Sequence, residues 1–347
     1  MTYKEIAEKC GTSISTVSRA LNGKSGVDET LRSRILSVVE QEKKEKAKLL
    51  PAEPPVKKKR GRKTGKEFIG IIVRGSQSYF PYEVVSKIDE ALLTSDYNVG
   101  VFRLEKDEDE VAKAMSLEKE DRLAGLILLG GRHDYTLEEI RKISVPFVMC
   151  AYTNRFGTLP PDSYSSVSCD DYMTGYNAAE LLIKAGHRKI GAIFPGTDGC
   201  RISSLRYSGF CAALSDNGIE LDENRVIVSE SYDMEAAYRS TKELLERDRS
   251  ITAVYTVSDN MAMGIMKALA DSGIRVPRDM SLVSIDGLEF TRYAIPTLTT
   301  MVQPVKEMGQ ECVKQLLALI NGEVHRQIVV TAHLRPGGTV RKIKTQK

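Results

Sequence analysis

Residues 4–23 read KEIAEKCGTSISTVSRALNG, two short amphipathic segments that meet at a glycine. Ile6 and Ala7 share one face of the first, and Val17, Ala20 and Leu21 recur at helical spacing on the second. The residue types suit their places. Ala7 is small where two helices would cross, Gly11 takes the positive φ of a tight turn, Ser13 caps the second helix, and Val17 faces inward. This is the form of a helix-turn-helix. Ile14, Ser15, Thr16, Ser18, Arg19 and Asn22 are left facing outward, and they are groove-reading types. An arginine can bond a guanine edge twice, hydroxyls reach bases or phosphates, and an isoleucine can touch a thymine methyl.

Downstream, Asp28 is a good N-cap for a third helix with Leu31, Ile35, Val38 and Val39 on one face. Three short helices over residues 1–48 then enclose a small all-α core. After Val39 the apolar stripe stops. Residues 49–66 contain PAEPP and KKKRGRKTGK, adjacent prolines and a basic block that cannot build a core, so they are expected to form a linker.

Charge supports the division. Residues 1–66 hold 17 Lys and Arg against 8 Asp and Glu, while the remainder holds 33 against 39. A basic head on a mildly acidic body points to a polyanionic partner for the head. With 347 residues and 41% apolar content, the chain is long enough for more than one domain and too apolar for wholesale disorder. It has no apolar run of membrane-spanning length, and its first residues are too polar for a signal peptide, so the expected compartment is the cytoplasm. The six cysteines are scattered singly and predict reduced thiols, with no metal site and no cofactor.

From Phe68 onward short apolar runs alternate with helical stretches: FIGIIV, YNVGVF, AGLILL and PFVM, then KIGAIF, RVIVSE, TAVYTV and MSLVSI. This βαβ alternation predicts an α/β body over residues 67–347 with two doubly wound parallel sheets. Ligands of such sheets bind at the carboxyl ends of the strands, which makes a cleft between the two halves the expected site.

Six segments in order carry a resemblance to a known family: STVSRALNG from Ser15, GHRKIGAI from Gly186, RYSGFCAAL from Arg206, SDNMAMGIMKAL from Ser258, GIRVPRDMSLVSIDG from Gly273 and PTLTTMVQP from Pro296. Over almost its whole length the chain resembles the LacI-type (lac repressor) transcriptional regulators. The resemblance implies a DNA-binding head joined to a body like type I periplasmic sugar-binding proteins, acting as a homodimer on a palindromic operator, with a repressor the expected sign. It implies base-edge readers at Ile14, Ser15 and Arg19, and Ser13, Thr16, Ser18 and Asn22 at phosphates or the groove edge. Effector contacts are implied at Phe80, Arg206, Ser258 and Asp286, for a small molecule that is a sugar or sugar phosphate. Charged side chains at Arg206 and Asp286 suit vicinal hydroxyls, and an aromatic at Phe80 suits a sugar ring face. Asp259 is set aside as an ordinary helix cap. The two halves of the body are expected to divide as 67–163 with 296–322, and 164–295 with 323–347.

One part of the pattern is missing. Family members usually follow the third helix with a Tyr, Pro, Asn, Ala and Leu hinge helix, and this chain has KKEKAKLLPAEPPVKKKRGRKTGK instead. Its RGR core loosely resembles a minor-groove AT-hook, though Lys63 stands where that motif has proline; Arg60 and Arg62 then either lie in a narrow A·T groove or belong to a flexible spacer held near DNA by charge alone.

Enzyme motifs are absent: the sequence has no GxxxxGK[ST], no GxGxxG after a strand, no HExxH and no GxSxG. The remaining alternative is a stand-alone sugar-binding transport or sensing module without specific DNA binding. The helix-turn-helix argues against it.

Overall fold

The computed structural model describes residues 3–13, 16–17, 20, 27–28, 30–38, 67–74, 78–105, 108–120, 122–196 and 202–343. The chain forms two compact units, Met1–Gly65 and Lys66–Lys347.

In the first unit the helix Tyr3–Cys10 ends at Gly11, whose φ of +65° reverses the chain. The amide of Thr12 bonds back to the Ala7 carbonyl at 2.9 Å. Ser13 then caps the next helical turn, its Oγ accepting from the Thr16 amide at 3.2 Å. Asp28 does the same for the helical residues 30–38, accepting from the amides of Thr30 and Leu31. The Thr30 hydroxyl, with the Leu31 amide after it, holds the Asp28 carboxyl below the usual aspartate range. Ile6, Ala7, Val17, Ala20 and Ile35 close over one another as their spacing predicts, and Cys10 joins them.

The second unit contains two six-stranded sheets. The first is built from β1 Phe68–Arg74, β2 Asn98–Leu104, β3 Leu123–Leu129, β4 Phe147–Cys150, β5 Ser165–Cys169 and β11 Gln327–Val330, all parallel, in the order β11-β5-β4-β3-β1-β2. The second is built from β6 Ile190–Pro195, β7 Val226–Ser229, β8 Ala253–Thr256, β9 Ser281–Asp286, β10 Thr299–Val302 and β12 His333–Arg335, in the order β12-β10-β9-β8-β6-β7, with β12 antiparallel. The central strands are buried on both faces, β1, β3 and β6 through nearly continuous apolar runs and β9 with two serines and Asp286 among its buried residues.

The chain passes between the sheets three times, and the passages differ from the expected 163/164, 295/296 and 322/323. Strand β5 still pairs with β4, so the first crossing waits until Asp170. Strand β10 pairs with β9, and only the following helix Val305–Ile320 packs on the first sheet, so the second crossing lies at 303–304. Strand β11 pairs with β5 and β12 with β10, so the third lies at 331–332. The cause is the same each time: once a strand is in register, its backbone groups stay paired to the strand end.

One tight helix crossing sets the approach of Asp171 to Arg206. Gly175 on the helix Asp171–Lys184 and Gly209 on the helix Ile202–Asp216 have no room for a side chain, because a Cβ at either would overlap the other helix's backbone at Arg206 and Tyr172.

Candidate functional site

The residues brought together at the carboxyl ends of the second sheet come from five places. Asp171 opens the helix after β5, Arg206 lies on the helix after β6, Ser258 follows β8, Asp286 ends β9, and Gln303 follows β10. All five are buried, Arg206 to 5% exposure. The Arg206 Nε donates to Asp171 Oδ1 at 2.8 Å, and Nη1 donates to Asp286 Oδ1 at 3.1 Å and to the Val257 carbonyl at 2.7 Å. The other oxygen of Asp286 accepts from Ser258 Oγ at 2.9 Å, and Gln303 Nε2 adds a bond to Oδ1 at 2.9 Å.

Electrostatics follow from this geometry. Burial works against charge on Arg206, but Asp171 and Asp286 more than offset it and hold the guanidinium above the usual arginine range. Burial pushes both carboxyls up, with Arg206 opposing the rise. A buried charge is tolerated only when paired and hydrogen-bonded, and here each partner supplies both conditions.

Asp286 is presented on an unusual backbone. Its φ is +127°, a region L-residues rarely adopt and one that costs about 1–3 kcal/mol. Gly287 follows at φ +81°, where a Cβ would run into Val302.

Of the effector residues implied by sequence resemblance, Arg206, Ser258 and Asp286 meet directly. Phe80 stands apart from their hydrogen bonds. It opens the helix Phe80–Leu92 beyond the end of β1, half-buried, with its ring against the core of the first sheet. Near it the halves of the body touch: the Tyr79 and Phe290 rings meet edge-on at 5.5 Å, and the Glu289 amide donates to Glu83 Oε1 at 3.1 Å.

Sequence reasoning misses Asp171, Gln303 and Asp259. Asp171 follows another aspartate, and it is Asp170 that caps the helix by accepting from the Met173 amide, leaving Asp171 to face Arg206. The sequence makes Asp259 look like a helix cap, but Ser258 is the cap, accepting from the Asn260 amide.

In the head, Ser13 and Thr16 are at the start of the second helical segment and share a hydrogen bond between their hydroxyls at 2.9 Å. Ile14, Ser15, Ser18, Arg19, Asn22, Arg60 and Arg62 lie outside the described residues. Among the described residues no cluster of His, Cys, Asp or Glu is placed to hold a metal, and no helix is long and apolar enough to cross a membrane.

Comparison with known proteins places both units. A model of bacterial regulatory proteins, lacI family, matches residues 2–43, and one of a periplasmic binding protein-like domain matches residues 179–340. The HTH-type transcriptional regulator MalR of Clostridium butyricum is 30% identical over 338 residues, covering 95% of this chain and 96% of that protein. The solved complex of the transcriptional regulator CelR with cellobiose has a TM-score of 0.69 at 23% identity, over 98% of this chain and 99% of that one. The lac repressor dimer bound to operator and the anti-inducer ONPF has a TM-score of 0.67 at 22% identity, over 98% and 99%. These two structures share the fold.

Proposed function

The chain belongs to the lacI family of bacterial regulatory proteins, and on that premise we propose that Ser13, Ile14, Ser15, Thr16, Ser18, Arg19 and Asn22 read its operator while Arg206, Ser258 and Asp286 bind a neutral, hydroxyl-rich carbohydrate. It is a DNA-binding transcription regulator, not an enzyme. It acts as a homodimer in the cytoplasm, where its DNA lies, with residues 1–48 as the reading head and 49–66 as the tether.

The observation that carries the effector reading is the buried row Asp171–Arg206–Asp286. It holds two carboxylates to one guanidinium, so a sugar hydroxyl can donate to an aspartate and accept from the arginine without adding charge. A phosphate group would bring further negative charge against two buried acids. This favours a neutral sugar over a sugar phosphate, and the cellobiose in the CelR complex agrees in class. Phe80 enters as a cover for an apolar ring face, from the opposite half of the body.

The tether is the second element. Arg60 and Arg62, on either side of Gly61, suit a narrow A·T minor groove in place of a hinge wedge.

The test is a selection of bound duplexes from a random pool, followed by titration of the recovered operator complex with cellobiose, ribose and maltose and with their phosphates. A palindrome, and release or tightening by a neutral sugar that is lost in Asp286→Asn, is the expected result. A response to phosphorylated sugars alone would overturn the effector class. Alanine at Arg60 and Arg62 should weaken binding chiefly on A·T-rich flanks; an equal loss on G·C-rich flanks removes the groove role.

A further inference from the structure

We propose that Asp259 is a positioning residue of the effector cluster: buried beneath the turn that follows β9, its carboxylate fixes the backbone from which Asp286 is presented to Arg206. This rests on the reading of Arg206, Ser258 and Asp286 as effector residues.

Asp259 is the first residue of the helix Asp259–Asp271 and has 0% exposure. Its Oδ2 accepts from the amides of Gly287 at 2.9 Å and Leu288 at 2.8 Å, while the Thr291 hydroxyl, 3.3 Å away, gives its proton to the Leu288 carbonyl at 2.6 Å. Its Oδ1 accepts from Ser284 Oγ on β9 and from Thr300 Oγ1 on β10 at 2.7 Å. Four donors from two strands and a turn are far more than helix capping calls for. A carboxylate taken wholly out of water has to have its lone pairs met, and here the partners are spread over β9, the turn after it and β10.

What the carboxylate holds is the strained segment. Asp286 at φ +127° and Gly287 at φ +81° persist only if their surroundings over-determine them. The Asp286 carbonyl is tied to the Gln303 amide at 3.0 Å, and the next two amides both end on Asp259. From the other side Arg335 on β12 donates to the Gly287 carbonyl at 3.0 Å and to Thr291 Oγ1. With the main chain gripped on both sides, the Asp286 carboxylate is left aimed at Arg206, Ser258 and Gln303. Asp259 makes no bond to Arg206 itself, so it acts through Asp286.

The charged groups around it are Asp286 on β9, Arg335 on β12, Glu83 facing Asp286 from the helix Phe80–Leu92, and Arg206 and Asp171 beyond Asp286. Burial, with Asp286 adding to it, pushes the Asp259 carboxyl up to about 7. The clamp therefore titrates in an accessible range and can be followed.

The experiment uses the full chain without any sugar and reads the Arg206 Nε–H resonance by NMR, together with hydrogen exchange of the segment 284–291. In Asp259→Asn, exchange of that segment should rise at least tenfold, the Arg206 resonance should move, and its pH dependence near 7 should vanish. An unmoved Arg206 resonance with an intact pH profile, in a chain that still unfolds cooperatively, overturns the proposal. Should that variant fail to fold, Ser284→Ala and Thr300→Val each remove a donor to Oδ1, and each should move the Arg206 resonance in the same direction. No movement in either also overturns it. Because no sugar is added, failure to find a carbohydrate effector and failure of this clamp are separate results.

Discussion

The residues of the body's buried cluster are organised around one guanidinium. Replacing Arg206 with methionine leaves Asp171 and Asp286 buried without their cation, and breaking a buried pair in this way costs about 3–5 kcal/mol. Urea unfolding of Arg206→Met should show that loss. Asp259 makes a second prediction, with its sign set by linkage. Its folded value of about 7 is raised above the ordinary 3.8, so between these values the folded state holds the proton more tightly than the unfolded chain. The stability it contributes is full below about 3.8 and is lost as pH rises through about 7. The fall in unfolding free energy from pH 4 to pH 8 should therefore be shallower in Asp259→Asn than in the native chain; equal slopes would contradict the raised value.

Among the elements, the crossing of the helices Asp171–Lys184 and Ile202–Asp216 decides whether Asp171 reaches Arg206. The first helix carries Asp171 and the second Arg206, and the two approach closely because Gly175 and Gly209 lack side chains. An added methyl meets backbone on the opposite helix, which cannot rotate away as a side chain could. Gly209→Ala should therefore cost at or above the upper end of the roughly 1–3 kcal/mol typical of overpacking. It should also lengthen the Asp171–Arg206 pair, visible as a shifted Arg206 Nε–H resonance in NMR.

Across the full chain the charge division and the tether set the expectations. Lys and Arg outnumber Asp and Glu two to one in residues 1–66, so operator affinity should fall steeply with salt, with a log–log slope near −0.9 for each phosphate neutralised. A flat response in filter binding at rising salt would contradict phosphate contact. Residues 49–66 carry prolines where the family usually has a hinge helix, and a tether without such an element transmits less free energy between sites. Effector should then change operator affinity by less than about a hundredfold, near the top of typical coupling.

The head and most of the body are legible in the order of residues alone. Gly11, Ser13, Val17 and Asp28 spell out turn, caps and core within a few residues of one another, and eight strands stand out as apolar runs. Strand β5 does not, because SSVSC has one apolar aliphatic residue and is buried through small hydroxyl side chains; β10 (TTMV), β11 (QIVV) and β12 (HLR) mix polar residues into runs of three or four. Only the folded arrangement shows what Asp259 bonds to, since its partners Ser284, Gly287 and Thr300 lie 25, 28 and 41 residues away. Periodicity and capping act between chain neighbours and can be read along the chain. A buried carboxylate takes its role from the donors around it, and the order of strands in the sheet chooses those donors.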